Sequence, residues 1–158
     1  MMARNSDADS ASPDEVVVAR ARAWIGTPYR HQASCRGAGT DCLGLVRGLW
    51  RELLGVEPER PPAYTPDWSE TGQTEDLLLA ARRHLDPVEL AERRSGDVLV
   101  LRMADIAVAK HVGVLARSAA GHETLIHAYC GHGVVESPLT PAWSRRVVGA
   151  FRFPLERD

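Results

Sequence analysis

Near Gly96 the apolar residues of this chain change their period, and that switch limits the fold more than any other feature of the sequence. Upstream, apolar side chains recur at steps of three and four, the spacing that gathers them on one face of a helix. Downstream, the short runs "GDVLVLRM", "KHVGVLAR", "TLIHAY", "GVVESPL" and "RVVGAFRF" are rich in Val, Ile and Leu and are separated by Gly, Ser, Ala or Pro. Runs of that kind read as strands of an antiparallel meander. Helices first and strands afterwards make an α+β domain, with N-terminal helices packed on a C-terminal antiparallel sheet of about five strands.

The helices carry their own punctuation. In "SPDEVVVARARAWIG", Ser12 is the N-cap, Pro13 the first helical residue, Glu15 the reciprocal partner of a capping box and Gly26 the stop. Val16, Ala19 and Ala23 with Val17, Ala21 and Trp24 supply the apolar stripe. A second helix runs from Cys42 to Leu54, capped by Asp41 or Thr40 and closed by Gly55. The proline-rich "VEPERPPAYTPDW" is a surface excursion of extended chain. Thr74 then caps a third helix over "EDLLLAARRHL", which ends near Asp86 and Pro87. Residues 1–12 form a polar tail expected to be disordered, and 13–158 fit one domain.

Charge and cysteine content exclude several classes of function. The formal net charge is −2, and basic clusters such as Arg82-Arg83, Arg93-Arg94 and Arg145-Arg146 are isolated pairs, so there is no basic excess with which to hold phosphates. A nucleic-acid partner is not expected. Three cysteines without CxxC spacing argue against a disulfide framework and leave at least one thiol free. The N-terminus lacks the apolar core of a secretory signal, and no apolar run is long enough to cross a bilayer. The expectation is a chain made in the cytoplasm, which needs a carrier if its substrate lies outside.

Within "GTDCLGLVRG", Cys42 stands between an aspartate and the first turn of an apolar helix. It could be a packed small hydrophobe, a metal ligand or a nucleophile. A zinc site from Cys35, Cys42, Cys130 and a histidine satisfies the ligand count, but the spacings are irregular and paired knuckles are absent. A nucleophile needs its thiolate. The helix N-terminus favours that form and Asp41 opposes it, so an imidazole must take the proton and a further polar group must orient the imidazole. His111 opens a strand in which His111, Gly113 and Leu115 share a face, and Gly113 leaves room there. His127 lies inside the next strand, an unusual place for a polar ring without a partner. Adjacent strands can set the two rings side by side, and a helix packed on that sheet can bring Cys42 to them.

The segments "GTPYRHQASCRGAGTDCLGLVRGLW", "SGDVLVL", "KHVGVL" and "LIHAY", in that order, resemble the NlpC-type cysteine peptidases, papain-like endopeptidases of the cell wall. The likeness runs from about Val16 to Val135 and is closest to the branch found in tailed phages and gene transfer agents. It implies that Cys42 is the nucleophile, His111 the general base and His127 the polar residue that orients the base. Tyr29 corresponds to a tyrosine that assists oxyanion binding, beside the backbone N–H of Cys42 as a second donor. No metal or other cofactor is implied.

The same likeness implies cleavage of the amide between γ-D-glutamate and the diamino acid of peptidoglycan stem peptides. Tail-tip or baseplate proteins are then the expected partners, and a phage-like particle is the expected carrier to the wall. An N-acetylmuramoyl-L-alanine amidase using the same residues, or a structural tail protein that hydrolyses nothing, are the alternatives. Two departures from the common pattern stand out. Leu43 replaces the serine that usually follows the cysteine, and the chain between Cys42 and His111 is longer than in compact members, so 56–95 looks like an added element.

Overall fold

The computed structural model describes residues 11–59, 76–103 and 109–155. The Thr74 cap, residues 1–10 of the tail and residues 60–68 of the proline-rich stretch lie outside these. Helix α1 covers Pro13–Arg22, and the Ser12 hydroxyl accepts the Glu15 N–H at 3.3 Å, as its cap requires. The segment is apolar on more than one side, and packing selects the Val17, Val18, Ala21 and Trp24 side. The expected stripe is corrected accordingly: Ala19 and Ala23 are exposed and Val16 is half-buried.

Helix α2 covers Cys42–Leu54, and Asp41 is the cap. Its Oδ1 accepts the Gly44 N–H at 2.7 Å, which satisfies one of the orphan donors at the helix start. Leu45 and Leu49 are fully buried. A Cβ on Gly48 would run into the Trp24 ring, so this glycine sets how closely α1 and α2 approach. Helix α3, Asp76–His84, adds Leu77, Leu78 and Ala81 to the same core.

Between α1 and α2 the stretch expected to be a plain loop folds into a small antiparallel pair, β1 (Ser34–Cys35) with β2 (Gly39–Thr40). The main sheet holds β3 (Asp86–Val88), β4 (Val98–Arg102), β5 (Ala109–Arg117), β6 (Glu123–Tyr129), β7 (Gly133–Pro138) and β8 (Val147–Arg152), and the order across it is β3-β8-β4-β5-β6-β7. The expected count of about five becomes six because Asp86–Val88 pairs with β8. Pro87 is tolerated there because β3 is an edge strand. A meander is present from β4 to β7, but β8 leaves it after the short helix α4 (Pro141–Ser144) and pairs with the other side of β4.

The helices cover one face of the sheet, meeting Val98, Val100, Val112, Val114, Ile126 and Ala128. The opposite face builds a smaller core from Leu99, Leu101, Leu115, Leu125, Val147 and Ala150. His111 pairs with Leu101 across the β4–β5 ladder and therefore belongs to this second face.

The ladder between β5 and β6 is short. It runs from Arg117↔Glu123 to Val114↔Ile126 and stops, while β5 continues on β4 to Ala109 and β6 continues on β7 to Tyr129. The two strands therefore part like a fork beyond Val114. Gly113 stands at its apex, where a Cβ would come within 2.9 Å of the Ile126 carbonyl oxygen.

Candidate active site

Three chain segments meet at the fork. His111 and His127 flank it from β5 and β6, and His111 Nε2 lies 2.8 Å from His127 Nδ1. The expectation that adjacent strands bring these rings together is met. At the other end, His127 Nε2 lies 2.8 Å from the Ser137 hydroxyl on β7. Both rings are buried, and Trp143 of α4 leans on them with centroid separations of 6.1 Å and 5.6 Å. Tyr129 adds a further wall 5.6 Å from His127, with His132 stacked on it.

Cys42 enters from the helical side. Its half-buried sulfur feels the backbone N–H groups of Val112, the residue after His111, and of Leu43 and Cys42 itself, all of which favour the thiolate. The nucleophile candidate thus sits at the His111 end of β5, where β5 has no ladder with β6. Asp41 holds this end of α2 rigid: besides capping, its Oδ2 accepts the Gln32 N–H at 2.8 Å, and its own N–H donates to the Ala33 carbonyl. Gln32 adopts a left-handed φ of 64°, which lets the loop turn back over the cap.

Tyr29 is tied to the same cap. It forms a parallel bridge with Thr40, whose N–H donates to the Pro28 carbonyl and whose carbonyl accepts the Arg30 N–H. Burial pushes the Tyr29 phenol up to about 12, and any charge on Cys42, Asp41 or Cys130 acts in the same direction. It remains a proton donor throughout the neutral range. Tyr29 therefore lies within electrostatic reach of Cys42.

The electrostatics differ from the thiolate-imidazolium pair that the sequence suggests. Burial, and then the Asp41 carboxylate, push the Cys42 thiol up to about 12 against the pull of the backbone N–H groups. Burial pulls His111 down to about 3, with His127 adding to the shift, and burial alone pulls His127 down to about 4. Burial thus favours the thiol and the two neutral rings over a resting ion pair. The pocket disfavours isolated charge.

Sequence reasoning missed Ser137, Trp143 and the Val112 N–H. A serine ahead of a proline carries no signal of its own; only its register against His127 reveals it. Among the described residues no three His, Cys, Asp or Glu side chains converge as a metal-holding set, and Cys35 and Cys130 are exposed rather than gathered about Cys42.

Known proteins share this arrangement of elements. The NlpC/P60 family model matches residues 26–152. The Murein DD-endopeptidase MepS/Murein LD-carboxypeptidase of Escherichia coli (strain K12) is 27% identical over 146 residues, which cover 92% of this chain and 63% of that protein. The chain thus spans less than two-thirds of that relative. A crystal structure of an NlpC/P60 family protein from Bacillus cereus ATCC 10987 has a TM-score of 0.61 at 19% identity, covering 91% of this chain and 41% of the other. The NlpC/p60 domain of the peptidoglycan hydrolase SagA has a TM-score of 0.56 at 20% identity, covering 89% and 98%. At such identities these structures speak for the fold, which is α+β and papain-like.

Proposed function

The chain belongs to the NlpC/P60 family, and from that premise we propose that it is a peptidoglycan hydrolase opening stem-peptide amides by acyl transfer to Cys42. The observation that carries this reading is the fork: the Cys42 sulfur feels the Val112 N–H at the strand end where His111 and His127 stand 2.8 Å apart. The matched Escherichia coli relative is by name a murein endopeptidase.

His111 Nε2 is engaged by His127, so the nitrogen that serves the sulfur is Nδ1. As the Cys42 sulfur attacks the amide carbon, its proton passes to His111 Nδ1, and the carbonyl oxygen gathers charge between the Cys42 N–H and the Tyr29 hydroxyl. The His111 imidazolium then protonates the leaving amine. Water, deprotonated by the same ring, releases the acyl group and restores the thiol. A neutral resting pair avoids isolated charge in the pocket, and the ion pair forms only when substrate seals the groove.

The bond cut is the amide between γ-D-glutamate and the diamino acid, and the enzyme reaches the wall as a tail-tip or baseplate component of a phage-like particle. The resemblance between Val16 and Val135 supports both statements. Purified protein and its Cys42→Ala variant, each incubated with peptidoglycan, provide the test. Mass spectrometry should find fragments with a new γ-glutamyl terminus in the first digest alone. Equal release from both overturns the reading, and fragments lacking muramic acid at the first alanine assign an amidase instead. Detection of the chain in purified particles tests the carrier.

A further inference from the structure

Two imidazoles joined Nε2 to Nδ1 share one proton, which couples their tautomers. If neutral His111 carries its proton on Nε2, His127 Nδ1 must be bare, and His127 must carry its own on Nε2. If instead His127 holds a proton on Nδ1, His111 Nε2 must accept it, and His111 carries its proton on Nδ1. Only the first arrangement leaves a lone pair on His111 Nδ1 to receive the thiol proton. The second blocks the base.

We propose that Ser137 selects the productive arrangement by accepting the His127 Nε2–H, which makes it a positioning residue for the reaction. This inference rests on the hydrolase reading, in which His111 is the base. A serine hydroxyl can donate as well as accept, and the accepting role is the proposed one; three observations place it to act on the ring. Ser137 Oγ stands 2.8 Å from His127 Nε2, at hydrogen-bond length. Ser137 lies opposite Leu125 and Val135 lies opposite His127, so the hydroxyl is on the histidine face, one diagonal step along the ladder. The ring is buried beneath Trp143 and Tyr129, and half-buried Ser137 is the ordered partner that the fold supplies to its Nε2 end.

The need for an acceptor persists during turnover. When His111 takes up the thiol proton, it holds protons on both nitrogens and His127 Nδ1 must still accept one of them. His127 can do so only while its other nitrogen stays protonated and hydrogen-bonded. Hydroxyl at position 137 thus acts through two rings on a sulfur that it does not touch.

Long-range proton–nitrogen NMR of the histidine rings at pH 7 tests this without substrate. The unmodified protein should give the Nε2–H pattern for both His111 and His127. Ser137→Thr should keep it, and Ser137→Ala should move a substantial share of both rings to Nδ1–H. In peptidoglycan hydrolysis, Ser137→Ala should lower kcat about tenfold or more with KM little changed, and Ser137→Thr should restore it. An Nδ1–H pattern in the unmodified protein, or unaltered tautomers in Ser137→Ala, overturns the proposal. Absence of Cys42-dependent hydrolysis overturns the hydrolase reading instead, and the NMR result distinguishes the two failures.

Discussion

His111 Nε2 and His127 Nδ1 face each other at 2.8 Å inside a pocket that holds both rings neutral. In the unfolded chain each ring takes a proton near pH 6.5, whereas in the folded protein the values are about 3 and about 4. The unfolded state therefore binds more protons between these limits, and stability falls as the pH drops below 6.5. Above that value the two rings contribute no slope. Urea unfolding at pH 7, 6 and 5 should show a steady loss, approaching about 1.4 kcal/mol per unit for each ring. His127→Gln should roughly halve the slope by leaving the His111 contribution alone, and a flat profile in the unmodified protein contradicts the burial account.

Thiol labelling reads the electrostatics at the sulfur. With its thiol pushed up to about 12, Cys42 should alkylate slowly at pH 7 and faster as the pH climbs toward 10. Cys35 and Cys130 are exposed and should label first. Peptide mapping after timed iodoacetamide treatment gives the order. Labelling of Cys42 ahead of the others at pH 6 would mean a resting thiolate.

Asp41 has two effects on its neighbour that substitution can separate. It caps α2 through Gly44 and, as a carboxylate, raises the Cys42 thiol. Asp41→Asn keeps a capping oxygen while removing the charge, so the pH at which Cys42 labels should fall. Asp41→Ala should also lower it but cost about 1 kcal/mol or more through loss of the cap and of the Gln32 bond. Unchanged labelling in Asp41→Asn means that burial alone holds the proton.

The glycines of α2 should differ in what they disturb. Gly48→Ala pushes a methyl into the Trp24 ring and should destabilise the protein by roughly 1–3 kcal/mol, read from the denaturant midpoint. Cleavage by the folded fraction should be preserved, because the clash lies between α1 and α2. Gly44→Ala meets the Ala33 carbonyl instead, beside the Asp41 cap, and should lower kcat as well as stability. Equal kcat in the two variants would contradict a rigid first turn around Cys42.

Local chemistry made much of this fold legible. Ser12 and Asp41 cap the helices as their side chains require, and the valine-rich runs from Val98 to Pro138 pair in sequence order. Cys42, His111 and His127 stand out as residue types that carry chemistry in places where packing alone does not ask for them. What stayed hidden depends on register and burial. Asp86–Val88 is too short and too proline-interrupted to read as a strand, and the pairing of β8 with β4 is a topological choice that no local pattern encodes. The stripe on α1 was ambiguous because its valines face several ways. The charge of Cys42 at rest depends on depth, and a sequence displays helix ends and neighbouring charges but not the depth at which they act.

The divergence of β5 from β6 has a bearing on how the cell tolerates such a protein. Cys42, His111 and His127 arrive from a helix and two strands, and they meet only where a completed ladder stops. A nascent or unravelled chain offers a scattered thiol and imidazoles with no common site. On the proposed reading, any cutting ability is withheld until the sheet is finished.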